Sequence, residues 1–184
     1  MSVKKAFSCI RVEGTLLTQE LIENVVGLSA ERVTAEDYWL SPGQRLAEQI
    51  SRDWDQALRL WTALQKALEN VPQTTPATSE TRERWLLPLF QMLQYGRLES
   101  VRGGMAADNG DRYAISHRHE DVPIHLLGYN TSVNQRMEGR IGAATMSAHS
   151  LVQDYLNNSD AAVWGILSNG RILRILRDNA NIAR

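Results

Sequence analysis

Hydrophobic side chains recur every three or four residues between Gln44 and Val71, which predicts one continuous amphipathic helix. The stripe comprises Leu46, Ile50, Trp54, Leu58, Trp61, Leu64, Leu68 and Val71. About 28 residues at about 1.5 Å each would give a rod of about 40 Å. No proline or glycine interrupts the segment. Tryptophans at this spacing are more typical of a packed core than of a surface that stacks nucleic-acid bases, so we predict a scaffold helix.

Shorter elements flank this helix. Residues 6–13 predict a short extended segment, and Thr18 predicts the cap of a helix that stops at Gly27. A polar, proline-bearing connector follows the long helix. The next helix is expected to begin near Ser79, and Pro88 is expected to kink or restart it because proline has no amide hydrogen to donate.

After Gly96 the pattern changes from helical spacing to short strands separated by turns. The predicted elements are strands at 97–101, 113–116 and 122–129, a loop from Arg136 to Met146, a helix opened by Ser147 or His149, and strands at 162–168 and 171–177. Asn169-Gly170 between the last two strands predicts a hairpin. The order predicts an α+β or α/β protein, with a helical region at 1–78 and a mixed-sheet domain with an embedded helix at 79–184.

Composition limits the partners that the chain can bind by charge alone. The 184 residues carry a net charge of -1, so there is no general basic surplus of the kind that drives binding to phosphates. Cys9 is the one cysteine, which excludes a disulfide or a cysteine-based zinc site within one chain. No segment approaches the roughly 20 apolar residues of a membrane span, and the first residues lack a signal-peptide core. We therefore expect a cytoplasmic protein.

Motifs for several catalytic classes are missing from the sequence. There is no glycine-rich turn after a strand and no Asn/Asp-Pro-Pro-aromatic loop, which methyl transfer from S-adenosylmethionine to a DNA amino group would need. The phosphate-binding Gly-x-x-x-x-Gly-Lys-Ser/Thr loop and the Gly-x-Ser-x-Gly and His-Glu-x-x-His motifs are also missing. We assign no catalytic residue and no cofactor to this chain.

A metal-dependent nuclease of the PD-(D/E)xK class is an alternative, because strand, strand, helix and hairpin follow one another in a suggestive order. Such a nuclease needs an acidic residue on one strand and an acid-x-lysine on the next, to hold a metal and polarise a water molecule. At that place the chain has His125, followed by two leucines, and no lysine occurs after Lys66. Asp111 or Asp121 would supply one acid at most. The sequence therefore predicts a degenerate nuclease-like core.

The densest polar cluster lies between the second and third predicted strands. His117 and His119 would share a face if they lay on a strand, and with Asp111 or Asp121 they are weak candidates for a divalent metal site. The same stretch is also a natural solvated loop between strands, and this interpretation is favoured over the metal site. His125 lies in an apolar strand and is interpreted as a core or cleft histidine.

Arginines near the end of the sequence are candidates for contacts with DNA phosphates. Arg171 and Arg177 are an even number of residues apart and are expected to share one face of the last strand, with Arg174 on the other. The candidate nucleic-acid contacts are His117, Arg118, His125, Arg171 and Arg177. The alternative is a hairpin with a hydrated face and no ligand.

Three groups of segments together resemble a known family. They are 81–90 with 93–96, then 113–118 with 122–126, and 149–157 with 164–170 and 176–179. This set resembles the N-terminal domain of large type IIG-like restriction–modification adenine methylases, including the methylase of the DISARM anti-phage system. The resemblance covers nearly the whole chain. Gln94 departs from the pattern, which usually has glycine there.

The resemblance implies that the chain is a fragment or split subunit of a DNA adenine methyltransferase, whose methylase domain and S-adenosylmethionine site lie downstream. It implies a non-catalytic accessory domain that positions double-stranded DNA or partner subunits of a defence system. Two alternatives remain open from the residues: an active or vestigial metal-dependent nuclease domain, and a protein–protein docking module. The near-neutral charge favours docking over autonomous DNA binding.

Overall fold

A computed structural model describes residues 18–27, 34–136 and 146–178. The chain divides into two compact units, Met1–Asp55 and Gln56–Arg184. The division into a helical region and a mixed-sheet domain after residue 78 stays a prediction. The predicted extended segment at 6–13 and nearly all of the predicted loop from Arg136 to Met146 lie outside the described residues.

The first unit contains a short capped helix, α1 (Gln19–Val26). The predicted cap is confirmed, because the Thr18 side chain accepts a hydrogen bond from the Leu21 amide at 3.1 Å. One 3-10 turn follows at Glu36–Tyr38.

The predicted long helix is confirmed as α2 (Leu46–Leu68), which crosses the boundary between the two units. Its apolar stripe is used unevenly. Leu64 is fully buried, whereas Ile50, Trp54 and Leu58 are 52%, 64% and 46% exposed. The scaffold interpretation therefore holds for the C-terminal half of α2, and the first half presents apolar side chains to solvent.

A second helical segment begins the sheet-bearing part of the second unit. It consists of α3 (Thr78–Thr81), a π turn (Arg82–Leu86) and α4 (Leu87–Met92), which we call together the interrupted helix. The π turn ends at Leu86, two residues before Pro88. Since proline has no amide hydrogen and its ring crowds the preceding turn, a wider turn accommodates it. The predicted interruption therefore takes the form of a π turn.

The described strands form a five-stranded mixed sheet in the order β1-β4-β5-β6-β7, and a separate two-stranded hairpin of β2 and β3. Their bounds are β1 (Glu99–Ser100), β2 (Met105–Ala106), β3 (Arg112–Tyr113), β4 (His117–His119), β5 (Val122–Leu126), β6 (Trp164–Ser168) and β7 (Leu173–Arg177). The β5–β6 pair is parallel and all other pairs are antiparallel. Mixed helix and sheet composition confirms the α+β prediction at this level.

The connection between the parallel strands contains α5 (Ala148–Asn157). Of the two predicted starts, the structure selects Ser147, whose hydroxyl accepts a hydrogen bond from the Ser150 amide at 3.1 Å. Gly165 on β6 lies under this helix, since a Cβ added there would meet a Val152 methyl at 2.9 Å. A glycine at this position therefore lets α5 pack closely on the sheet.

Two predicted strands differ from the structure. The strand predicted at 113–116 is short and pairs in the separate hairpin, while the polar cluster at 117–119 forms β4 of the main sheet. The strand predicted to reach residue 129 ends at Leu126. Beyond it, Gly128 approaches the backbone of Pro76, where an added Cβ would lie 1.9 Å from the carbonyl oxygen. Past Leu126 the chain therefore packs against the segment that precedes the interrupted helix.

The sheet is covered on both faces, and each face has its own core cluster. On the face of the interrupted helix the buried residues are Leu86, Phe90, Leu98, Ile124, Leu126 and Ile166. On the face of α5 they include Val152, Tyr155, Leu156 and Leu176. Within the described residues, no helix combines the length and apolar character needed to cross a membrane.

Candidate functional site

His117 lies on β4 inside the protein, with 5% of its surface exposed. Its Nδ1 is 2.9 Å from the Ser116 hydroxyl, which also accepts a hydrogen bond from the Leu126 amide at 2.9 Å. Arg82 of the interrupted helix donates its Nε to the Leu126 carbonyl at 2.9 Å, and a second guanidinium nitrogen donates to the same oxygen. This is a closed hydrogen-bonded junction between the helix and two strands.

The charge state of His117 follows from that environment. Burial, and then the positive charge of Arg82, lower the pKa of His117 from 6.5 to about 4. The ring is therefore neutral at neutral pH. A buried, neutral imidazole offers no cation to a DNA phosphate.

His125 lies on the opposite face of the same sheet. The register pairs His117 with Ile124 on β5, and directly paired residues of antiparallel strands share a face. His125 therefore points the other way, beside Leu167 of β6, and is 1% exposed. The two candidate histidines cannot act on one ligand across the sheet.

The metal candidates are distributed over separate turns and strands. Asp111 lies in the β2–β3 turn, where its carboxylate and amide bond to Asn109 at 3.0 Å each. Asp121 lies in the turn between β4 and β5, and the His119 ring packs on Tyr95 with 5.9 Å between centroids. Among the described residues, no three histidine, cysteine, aspartate or glutamate side chains form a group suited to a metal ion.

Arg118 is held by an acidic neighbour on the adjacent strand. The register places it opposite Glu99, and its Nε is 2.7 Å from the Glu99 carboxylate. Their side chains are 48% and 62% exposed, so water screens the pair strongly. Arg118 is accessible, but its charge is already matched by a carboxylate.

Arg171 and Arg177 stack on two different aromatic rings. The Arg171 guanidinium carbon lies 5.3 Å from the centre of the Tyr129 ring, and that of Arg177 lies 5.4 Å from the centre of the Trp164 ring. Arg177 is the last residue of β7, whose four steps of about 3.3 Å span about 13 Å, and Arg171 lies two residues before the first residue of that strand. The structure places Arg171 in the turn before β7 and Arg177 at the end of the strand.

The sequence did not indicate the contact network that holds the interrupted helix to the β6–β7 hairpin. The Trp85 indole donates to the Gly170 carbonyl at 2.9 Å, and its ring lies edge-on to Trp61 of α2 at 5.4 Å. Gly170 has a φ of +82°, and a Cβ there would meet the Thr81 methyl at 2.8 Å. Asn169-Gly170 predicted the turn, but no sequence signal pairs that turn with Trp85.

Comparison with protein-family models, with curated proteins and with solved structures finds no match to this chain. The family resemblance stated from the sequence segments therefore stays a prediction.

Proposed function

We propose that the chain is a non-catalytic accessory domain of a bacterial restriction–modification or anti-phage DNA methyltransferase, and that it acts by binding protein rather than by reading DNA itself. The protein-binding role is supported by the placement of the five candidate DNA contacts. His117 and His125 are buried, and Arg118 is ion-paired. Arg171 and Arg177 are far apart and stack on separate rings. These positions form no continuous basic surface.

The link to DNA modification rests on the three groups of resembling segments. The first becomes the interrupted helix, the second contributes β4 and β5, and the third becomes α5 and the β6–β7 hairpin. These elements build the sheet and its two covering helices. The resemblance thus concerns the folded core of the second unit, which supports a shared fold. A cytoplasmic location and a downstream S-adenosylmethionine-dependent methylase are part of this proposal.

A vestigial nuclease is the second candidate, favoured by the sheet topology. An antiparallel pair, β4 and β5, is followed by α5 and then by β6, which is parallel to β5, and this order supports the candidate. Where an acid-x-lysine is needed, β5 and the following residue carry His125, Leu126 and Leu127, all at most 5% exposed. Metal-assisted hydrolysis needs carboxylates at that place to hold the ion.

Plasmid cleavage separates the two candidates. Incubating the chain with supercoiled plasmid and Mg²⁺ or Mn²⁺ is expected to leave the plasmid intact. Cleavage that Asp111→Ala or His125→Ala abolishes would refute the non-catalytic proposal in favour of an active nuclease.

Duplex binding tests the choice between protein and DNA as partner. Fluorescence anisotropy of a labelled duplex should show no specific binding by the chain at about 50 mM salt. Tight binding that weakens about 10³-fold or more by 200 mM salt would signify several phosphate contacts and contradict the proposal.

A further inference from the structure

The last strand of the sheet, β7, has one edge with which no other described strand pairs. Its inner edge bonds to β6: the Asn169 amide donates to the Ile172 carbonyl at 3.3 Å, and the Asp178 amide donates to the Val163 carbonyl at 3.0 Å. The backbone N–H and C=O groups of successive residues in an antiparallel strand point alternately toward the two neighbouring positions in the sheet. In β7 the backbone groups of the even-numbered residues therefore point toward β6. The backbone groups of 173, 175 and 177 therefore face outward.

One of these outward backbone groups is bonded to a side chain of α5. The Gln153 side-chain amide of α5 donates to the Arg177 carbonyl at 3.0 Å, and by the alternation this carbonyl points away from β6. The outward groups of Leu173 and Ile175 bond to no described residue in the backbone pairing. An edge of this kind is a template for an added strand.

The residues with outward backbone groups also carry exposed apolar side chains. Leu173 and Ile175 are 46% and 44% exposed. They lie on the same face as Trp164 of β6, which pairs with Arg177 and is 42% exposed. Ile166, which pairs with Ile175, is covered and only 5% exposed. On this face of the sheet, the residues of β6 next to β5 are covered, whereas Leu173 and Ile175 of β7 are exposed. These two apolar side chains therefore lie beside the unpaired edge.

The charge of this edge restricts what can bind it. Arg171, Arg174 and Arg177 all lie on or next to β7, and among the described residues none of them has a carboxylate within ion-pair distance. Arg174 donates instead to the Asn134 side-chain oxygen at 2.7 Å. A second copy pairing edge to edge would bring these arginines against each other, and like charges on paired strands are unfavourable. A partner strand with carboxylates complements the edge.

We propose that the β7 edge is a docking site for an extended segment of another protein, which adds a sixth strand to the sheet. The segment has the pattern acid-x-apolar-x-apolar-x-acid. Its apolar residues cover Leu173 and Ile175, and its acids face Arg171 and Arg177 at the two ends. Backbone bonds along the edge supply affinity and the alternate side chains supply specificity. This inference rests on the proposed protein-binding function and names its surface and partner chemistry.

The probe is a fluorescein-labelled peptide, Gly-Ser-Glu-Thr-Val-Thr-Val-Thr-Glu-Ser-Gly, titrated against the whole chain and followed by anisotropy. Binding is expected, and replacement of both glutamates by lysine is expected to weaken it at least about tenfold, which corresponds to about 1.4 kcal/mol. Amide exchange measured by NMR should slow at Leu173, Ile175 and Arg177 on peptide addition. Failure of the acidic peptide to bind, or equal binding of the lysine peptide, would overturn the proposal.

Matched variants locate the site. Ile175→Lys should weaken peptide binding about tenfold or more, whereas Val163→Lys, at a residue 40% exposed and outside β7, should leave it unchanged. Arg177→Gln should weaken binding of the acidic peptide, and Arg177→Lys should largely restore it. Urea unfolding of each variant shows whether it is folded. Equal losses in Ile175→Lys and Val163→Lys would overturn the assignment to this edge.

Other occupants give distinct results. Self-association in sedimentation velocity that Ile175→Lys abolishes would make a second copy the occupant and refute the acidic partner. Competition by duplex DNA with the peptide for the arginines would assign the edge to nucleic acid instead. If the methyltransferase polypeptide binds the chain equally well after Ile175→Lys, the edge proposal fails while the proposed function stands. If it does not bind the wild-type chain at all, the proposed function itself fails.

Discussion

Replacement of Gly128 by alanine tests the junction between the sheet and the segment before the interrupted helix. A Cβ at position 128 would lie 1.9 Å from the Pro76 carbonyl oxygen, 2.6 Å from its carbonyl carbon and 2.9 Å from the Thr78 nitrogen. All three atoms belong to the backbone, so no side-chain rotation relieves the clash. The segment at 76–78 must therefore move away from the end of β5.

The cost follows from the hydrogen bonds that this movement would break. The Tyr129 amide donates to the Thr81 hydroxyl at 2.9 Å. The Asn130 side-chain amide donates to the Thr75 carbonyl at 2.9 Å, and the Asn130 backbone amide donates to the Pro76 carbonyl at 3.4 Å. At a net contribution of about 1 kcal/mol for each bond, Gly128→Ala should lower the free energy of unfolding by about 3 kcal/mol.

Gly103→Ala is the matched control for this substitution. Gly103 has a φ of +83° and no heavy atom within 4 Å of an added Cβ, so alanine there meets only the left-handed backbone penalty of about 1 kcal/mol. Urea unfolding followed by tryptophan fluorescence measures both variants. A loss for Gly128→Ala no greater than that for Gly103→Ala would refute the close approach.

Three further outcomes follow from the site geometry. Because the pKa of His117 falls to about 4 in the folded protein, only the unfolded state binds a proton at this histidine between about pH 6.5 and 4. The free energy of unfolding should therefore fall as pH falls through this window, by up to about 1.4 kcal/mol per pH unit. Measured by urea unfolding between pH 5 and 6.5, the free energy of unfolding of His117→Gln should depend less steeply on pH than that of the wild type. Arg118→Gln breaks an exposed pair with Glu99 and should change the free energy of unfolding by less than about 1 kcal/mol; a larger loss in the same assay would contradict the screening argument. Trp85→Phe removes the donor to the Gly170 carbonyl and should cost at least about 1 kcal/mol in thermal or urea unfolding, and an unchanged midpoint would show that this bond does not hold the hairpin.

Elements with a long period or a specific turn were predictable from sequence. The long helix followed from a stripe repeated over many turns, and the β6–β7 hairpin followed from Asn169-Gly170 between two apolar runs. Thr18 and Ser147 predicted helix caps because their hydroxyls accept amide bonds locally. Each of these signals lies within a few residues of the element that it specifies.

Features that depend on contacts distant in sequence were not predictable. His117 and His125 are eight residues apart, a spacing that would place them on one face of a single strand. The turn at Glu120, with a φ of 51°, reverses the chain, and the register then puts them on opposite faces. The Gly128 approach to Pro76 likewise depends on packing across about fifty residues. The alternation of side chains along a strand predicts that Arg171 and Arg177 share one face of the hairpin. It does not predict the aromatic ring on which each guanidinium stacks, and the two arginines stack on different rings.

Direct binding to the methyltransferase distinguishes a domain that binds protein from one that binds DNA. The chain should be mixed with the S-adenosylmethionine-dependent catalytic domain that the proposal places in the same polypeptide or operon, and followed by sedimentation velocity with and without duplex DNA. A protein-binding domain should form a defined complex without DNA, and this complex should persist when salt is raised from about 50 to 200 mM, a range over which phosphate contacts would be lost. No complex in the absence of DNA, together with salt-sensitive binding of the chain alone to the duplex, would contradict the protein-binding role.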